Sequence, residues 1–394
     1  MAFSILHFAD LHLDAAFTGS RLPAALARHC REQLRQTLRR LVDIAKERGA
    51  DAVTIAGDLF ERERLSPDTA AFLIGEFERL MPIPIYIAPG NHDAADASSL
   101  YRRGRWPEHV TIFISNRLTE RRLTEEISLW SAGHRSPSER QNFLQNFNLS
   151  DFTAFSGATA SAASPQSPGV APRFHILLLH ATLVAAHSPS SSNHAPLTIG
   201  DIREAGFPLA LLGHYHTTKT LRAGDTVAIY PGSPQPLGFD EPGQHGACWI
   251  QLVPDQPPQI EFIPLAGLRF ETVEVPVDDC LHRDQLVDKV MVLQRELGNA
   301  FIRLRLIGQA PPTLFVDLPS LTARLQEQLT FVHLENLTRP SADLQQLAQE
   351  PTVRGAFVRN LIAAIEREPE SRQRYMNALI YGLQAFNQEE IALR

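Results

Sequence analysis

The chain has 394 residues, 44% of them hydrophobic and 21% charged, enough for one large domain with one or two small ones. No apolar run approaches the ~20 residues of a membrane helix and no signal-peptide pattern opens the chain, so a cytoplasmic protein with no membrane association is expected. The formal net charge of -7 excludes a protein that grips phosphates by a general excess of basic side chains, so any nucleic-acid contact must rest on local charge or bound cations.

In chain order, short apolar runs alternate with helical patterns. Strands are predicted over 3–9, 52–56, 83–88, 110–114, 127–132, 174–179, 209–212, 227–230 and 247–253. Many of these runs are apolar on both faces, as in strands covered on both sides. A helix opens at Pro23, carries Leu26, Cys30, Leu34, Leu38 and Leu41 on one face and stops at Gly49. A second helix starts at Ser66-Pro67 and ends near Leu80. Two Ser/Pro/Ala-rich stretches, 156–172 and 188–196, read as mobile insertions. From about Arg269 the pattern is strand 271–275, helix 281–297, strand 301–306, helix 318–325 and strand 329–334, a small α+β unit. Beyond Pro340 only helical signals remain. The chain is thus divided as 1–266, 267–338 and 339–394. Cys30, Cys248 and Cys280 have no metal-type spacing, and their odd number fits a reducing compartment.

The polar residues collect at five strand ends. Asp10 and His12 follow the first run, and their spacing of two predicts side chains on one side of an extended segment. Asp58 ends "AVTIAGD", Asn91 and His92 end "IPIYIAPGNH", His180 ends "FHILLLH", and His214 and His216 end "LALLGHYH". Ligands bind where strand ends open into loops. Two aspartates, one asparagine and four histidines, with His92 in addition, exceed what one ion requires. They suit two ions that share Asp58, each with nitrogen and oxygen donors. Such ions sit ~3.5 to 4 Å apart and clamp an in-line displacement at phosphorus, and His92 is then the proton donor to the leaving oxygen.

The ordered set DLH, GDLF, GNHD, strand-end histidine and GHYH resembles the calcineurin-like metallophosphoesterases. "HFADLHLDAAF", "AGDLFERE" and "YPGSPQPLGFDEPGQHGACWIQL" are similar to the SbcD and YhaO branch of DNA-repair exonucleases, over about residues 1–265. The resemblance implies an α/β fold: a four-layer metallophosphoesterase β-sandwich flanked by helices, with a capping domain and a helical, partner-binding C-terminal region. It places one metal on Asp10, His12, Asp58 and His216, the second on Asp58, Asn91, His180 and His214, and makes His92 the catalytic histidine. Manganese is the implied ion, with iron or zinc also suited to these donors. DNA, an SbcC-like ATPase subunit and a homodimer are the implied partners. At Glu61, directly after GDLF, well-studied relatives carry a histidine, and a carboxylate there cannot act as a cationic helper.

Other residues have quieter readings. His7 and His175 lie inside apolar strands and read as hydrogen-bonded core histidines. Asp14 reads as a loop hydrogen-bonding or supporting group. Asp93 either orients a neighbouring ligand or caps a helix, and His134 reads as structural. "YRRGRW" (101–106) has the composition for phosphate contact and base stacking, against a solvated surface reading. Ala378, Leu379, Leu383 and Phe386 form a helical face for an ATPase partner or for the chain's own cap. His187 and His194 are expected to be exposed loop residues.

Overall fold

The computed structural model describes residues 2–18, 22–153, 172–185, 194–265, 267–280, 283–297, 300–310, 318–327, 329–340 and 344–386. His187 and the insertion residues 156–171 and 188–193 lie outside the described residues. The chain divides into two compact units, Met1–Leu268 and Arg269–Arg394. Among the described residues, no helix is long and apolar enough to cross a membrane.

The first unit contains β1 (Phe3–Phe8), β2 (Ala52–Ile55), β3 (Ile85–Ile87), β4 (Val110–Ile112), β5 (Thr119–Arg122), β6 (Ile127–Ser131), β7 (Phe174–His180), β8 (Leu209–Gly213), β9 (Lys219–Ala223), β10 (Thr226–Tyr230), β11 (Gly246–Leu252) and β12 (Gln259–Pro264). Between them lie α1 (Ala24–Glu47), α2 (Pro67–Glu78), α3 (Leu100–Arg103), α4 (Ser150–Thr153) and α5 (Ile199–Glu204). The strands form two six-stranded sheets, ordered β12-β11-β1-β2-β3-β4 and β5-β6-β7-β8-β10-β9. In each, four consecutive strands, β1 to β4 in the first and β6, β7, β8 and β10 in the second, are parallel. The faces of the two sheets share a core in which Ile5, Ala52, Tyr86 and Ile250 meet Leu129, Ile176, Leu209 and Val227. On the far side of the second sheet, Trp130, Leu177, Ala210 and Ala228 pack with Phe143, Leu144, Ile202 and Phe207. Burial on both faces is why β8 reads as an unbroken apolar run.

All nine apolar runs form strands. The three strands of this unit that sequence patterning omits, β5, β9 and β12, lie at sheet edges and carry charged, exposed side chains. Charge there discourages edge-to-edge pairing and removes the apolar signal. α2 is capped by Ser66, whose Oγ accepts a hydrogen bond from Thr69 N at 3.0 Å.

The second unit holds β13 (Phe270–Pro276), α6 (Arg283–Leu297), β14 (Phe301–Ile307), β15 (Gln309–Ala310), α7 (Leu318–Gln326), β16 (Phe331–Asn336), β17 (Arg339–Pro340), α8 (Leu344–Gln349), α9 (Val353–Arg367) and α10 (Arg372–Phe386). β13, β14 and β16 pair in parallel in that order, so α6 and α7 are crossovers and the layer is a βαβαβ unit. The alternating strand and helix order read from the sequence is the order found, with the three strands parallel. Val275, Leu286, Leu304, Leu321 and Val332 form its core. Leu379 and Leu383 of α10 are buried with Val358, Phe357 and Leu361 of α9 and with Leu344 of α8. At Leu379 and Leu383 that face is therefore occupied by the chain's own helices, the second of the two readings, while Phe386 is 41% exposed.

The sheets approach closely at Gly213, the last residue of β8, where a Cβ would be driven into the Ala56 carbonyl and against Ala9. Only glycine lets β8 meet the ends of β1 and β2 from the opposite sheet. Gly213→Ala is expected to cost about 1–3 kcal/mol, measured by urea unfolding; unchanged stability would show that this approach does not constrain the fold.

Candidate metal centre

β1 stops at Phe8, and the segment beyond it is not extended: Asp10 and His12 have φ of 55° and 50°. The expectation that they share a side by strand alternation is therefore corrected. The segment is held against the turn after β2, with Asp10 N donating to Gly57 O at 3.0 Å, His12 N to Asp58 O at 2.9 Å and Leu13 N to Leu59 O at 3.0 Å. Asp58 (φ 49°) and His214 (φ 110°) are also left-handed. Each such non-glycine residue costs about 1–2 kcal/mol, so the surroundings must impose four of them in one place. Gly57, with φ 81°, lies so close to the GNHD turn that a Cβ would stand 2.7 Å from Gly90 N and from His180 Nδ1.

One half of the centre is built on His12 and His216. His12 Nδ1 donates to Glu61 Oε1 at 2.8 Å and His216 Nδ1 donates to Glu241 Oε1 at 2.6 Å. A carboxylate only accepts, so each Nδ1 carries a proton, and in the neutral rings that metal binding requires both Nε2 atoms carry lone pairs. Those two Nε2 atoms face each other at 3.2 Å. Asp10 closes this group, with Oδ1 4.0 Å from His216 Nε2, and both its oxygens accept from His214 N at 3.1 and 3.0 Å.

The other half repeats the arrangement. His180 Nδ1 donates to the Ala56 carbonyl at 2.8 Å, leaving its Nε2 lone pair 2.9 Å from Asn91 Oδ1 and 3.4 Å from Asp58 Oδ2. The same Asp58 oxygen is 3.8 Å from His12 Nε2, so one carboxylate oxygen faces both halves. Asp58 Oδ1 accepts from His92 N at 2.8 Å. Acceptors aimed at acceptors in a buried site repel unless a cation stands among them. Mixed nitrogen and oxygen donors suit a divalent transition metal. Three compact donor groups emerge among the described residues: Asp10, His12 and His216; Asp10, Asp58 and His180; and His12, Glu61 and His92. The His214 ring lies 5.2 Å from that of His180, beside these groups rather than inside one.

Electrostatics agree with that arrangement. Burial raises Asp10 and Asp58 from 3.8 to about 7, the sign of carboxylates without a cation. Burial holds His180 well below its ordinary value and lowers His214 to about 4, so both stay neutral, as metal ligands must. For His216 burial works against charge, yet Glu241, Asp10 and Asp58 push it up to about 9. The hydrogen bond with Glu61 raises His92, whose side chain is 45% exposed, to about 9.

The supporting residues divide clearly. Asp14 accepts from Ser66 N and Thr69 Oγ1, both at 2.9 Å, and ties the DLH segment to the start of α2. Asp93 accepts from Asp58 N, Leu59 N, Gly90 N and Tyr101 Oη, which locks the Asp58 and Asn91 turns together and decides for the orienting reading. His134 Nε2 donates to the His180 carbonyl at 2.8 Å. Buried His7 accepts from Thr54 Oγ1 and donates to Leu212 O, as expected of a core histidine, whereas His175 is half-buried and its Nδ1 accepts from Trp130 Nε1. In "YRRGRW", Tyr101 is buried and stacked with Trp106, whose Nε1 donates to Leu100 O. Both aromatics are spent on the fold, which corrects their reading as base-stacking groups, while Arg102, Arg103 and Arg105 are exposed. His194 is half-buried with its ring 5.0 Å from that of His214, against the expectation of an exposed loop residue. Glu241 is not legible in the sequence as a site residue, since no spacing links it to the histidine it holds.

Residues 3–217 match the family described as calcineurin-like phosphoesterase. The chain belongs to that family. The match ends just past His216, so every gathered donor lies within it and Glu241 lies beyond. The chain is 29% identical over 415 aligned residues to the "Uncharacterized metallophosphoesterase YhaO" of Bacillus subtilis (strain 168), covering 98% of this chain and 94% of that protein. Among solved structures it is similar to TT1561 of Thermus thermophilus, at 16% identity, 64% of this chain, 94% of that chain and a TM-score of 0.36. It is also similar to a dimetal phosphatase from Danio rerio, at 12% identity, 64% of this chain, 93% of that chain and a TM-score of 0.37.

Two consequences of pH follow for this phosphoesterase. Asp10 and Asp58 titrate higher folded than unfolded, so their contribution to metal-free stability is present below 3.8 and is lost as pH rises through about 7. A metal must displace those protons and that of His216, so its binding strengthens over the same rise. In thermal melts after EDTA treatment, manganese is expected to raise Tm more at pH 8 than at pH 6; an equal shift at both would refute the assignment of these carboxylates to the metal.

Proposed function

We propose that this chain is a two-metal phosphodiesterase that cleaves DNA, the nuclease subunit of a complex with an SbcC-like ATPase, with manganese as its activating ion. The observation that carries the hydrolytic part is Asp58 Oδ2 facing His12 Nε2 and His180 Nε2 together. Two divalent ions, when bound, would supply the Lewis acidity that offsets phosphoryl charge and makes water a competent nucleophile near neutral pH. Asp10, His12 and His216 with Asp58 would hold one of them, and Asn91, His180 and His214 with Asp58 the other. Glu61 and Glu241 keep Nδ1 of His12 and His216 protonated and so keep Nε2 available. His92 stands half-exposed beside the centre, its backbone bound to Asp58 and its Nδ1 to Glu61, which leaves Nε2–H for the leaving oxygen.

The DNA reading is supported by the stretch 230–252, similar to the SbcD and YhaO branch. Arg102, Arg103 and Arg105, exposed on the segment after the GNHD turn, offer local positive charge. The same reading brings a homodimer with it. The net charge of -7 favours a second reading, a small phosphodiester or phosphoprotein as substrate.

End-labelled linear duplex DNA and bis(p-nitrophenyl) phosphate, each incubated with manganese, magnesium or EDTA, separate the two. DNA shortening in manganese, its loss in EDTA and a drop of about 100-fold or more in His92→Gln that still binds metal are expected. Protein that binds two manganese ions and cleaves the small diester but leaves DNA intact would establish the second reading instead, and hydrolysis of neither would overturn both.

A further inference from the structure

The end of the sandwich opposite the metal centre is open. β1 begins at Phe3, paired with Leu252 at the end of β11, and β6 and β7 begin at Ile127 and Phe174, paired with each other. All four side chains belong to the core that the two sheets share, yet Phe3 and Phe174 are only partly buried in it. Between these two walls lies a cavity of about 710 Å³. That falls within the ~300–1,000 Å³ range of small-molecule sites. β7 alone spans about 20 Å from Phe174 to His180 in extended geometry, so the cavity is separate from the metal centre.

The mouth of this cavity is acidic. Among the described residues its lining carries four carboxylates, those of Asp51, Glu125, Glu126 and Asp255, against one guanidinium, that of Arg173. Asp51 spends Oδ2 on Ser4 N at 2.7 Å, while Glu125, Glu126 and Asp255 are exposed at the rim. Such a rim repels phosphate and concentrates cations. The walls behind it hold no charge, and a bare ion between two apolar sheets is costly. An occupant that satisfies both parts is amphiphilic, with an apolar body for the gap and a positive group that stops at the rim.

We propose that this cavity is a binding site for a small organic amine with an aromatic or alkyl body. The body lies between Phe3 and Leu252 on one sheet and Ile127 and Phe174 on the other. The ammonium stays in water at the mouth, beside Glu125, Glu126 and Asp255. The bounded volume selects a small molecule over a segment of another protein, and the rim selects a cation over a neutral or acidic one. The site draws on neither the metals nor His92, so it stands or falls independently of the phosphodiesterase reading.

The test titrates the full chain with dansylcadaverine, a naphthalene ring on a pentyl ammonium tail whose emission rises and shifts to the blue in apolar surroundings. Saturable binding of one equivalent is expected, equal in EDTA and in manganese. The N-acetylated probe, which lacks the charge, is expected to bind about tenfold more weakly or worse, and the double variant Glu126→Gln, Asp255→Asn to weaken the amine by a similar factor. Val253→Trp, which puts an indole into the cavity from its lining, should abolish binding. Thermal melts of both variants report that each is folded. Absence of saturable binding to the wild type, equal affinity for the acetylated probe, or unchanged binding in folded Val253→Trp would overturn the site. Displacement of the amine by manganese would place it at the metal centre, and tighter binding of a Lys/Leu peptide that displaces it would make the occupant a protein segment; either result also overturns the proposal.

Discussion

Every feature of the centre depends on acceptors being aimed at acceptors in a place that water does not reach. Asp10, Asp58, His12 and His180 are buried, and the lone pairs of His12, His216 and His180 turn toward one another or toward oxygen. Three groups outside the cluster enforce this by taking the Nδ1 protons: Glu61, Glu241 and the Ala56 carbonyl. Without a cation such an arrangement costs several kcal/mol per unpaired charge. With one, the protein has preset both the tautomers and the directions of its ligands.

The fold bears that cost through opposed sheets. The centre sits at one end of the sandwich, where the parallel strands β1, β2, β3, β7 and β8 run out together. Parallel strands deliver all their ends to one side, which is why sites collect there. Each end is then bent out of extended geometry: Asp10, His12, Asp58 and His214 adopt left-handed backbone, and the turns are tied by Asp93 and Asp14. The conformational cost at each residue is offset by a bond from a neighbouring segment, so none of the loops could hold its shape alone.

Much of this is legible in the sequence because burial on both faces leaves an unbroken apolar run, and a polar residue at its end is conspicuous. The same logic makes β5, β9 and β12 invisible, since edge strands advertise charge instead. Strand alternation is the wrong physical ground for pairing Asp10 with His12, even though the pair is real. Hydrogen bonds to Gly57 and Asp58, from a turn far along the chain, place them together instead. Aromatic content misleads at Tyr101 and Trp106, because composition does not distinguish a ring offered to solvent from one stacked in a core. Glu61 stands out in the sequence as a departure from a pattern, but its two contacts come from turns that only tertiary structure brings together.

Glu241 lies beyond the family match, which ends at residue 217, yet it serves the centre. It lies in the stretch from Tyr230, far from any strand-end ligand in sequence. Its Oε2 accepts from Ser233 Oγ and Leu237 N, both at 3.0 Å, and its carbonyl accepts from His245 Nε2 at 3.0 Å. Those contacts spend one carboxylate oxygen and the backbone on the loop itself, leaving Oε1 for His216 at 2.6 Å. The stretch is therefore a cradle for one carboxylate, and through that carboxylate it sets the orientation of a metal-facing imidazole. The stretch needs no contact with substrate to matter: loosening the loop would turn His216, and turning His216 would move its lone pair off the point that His12 also faces.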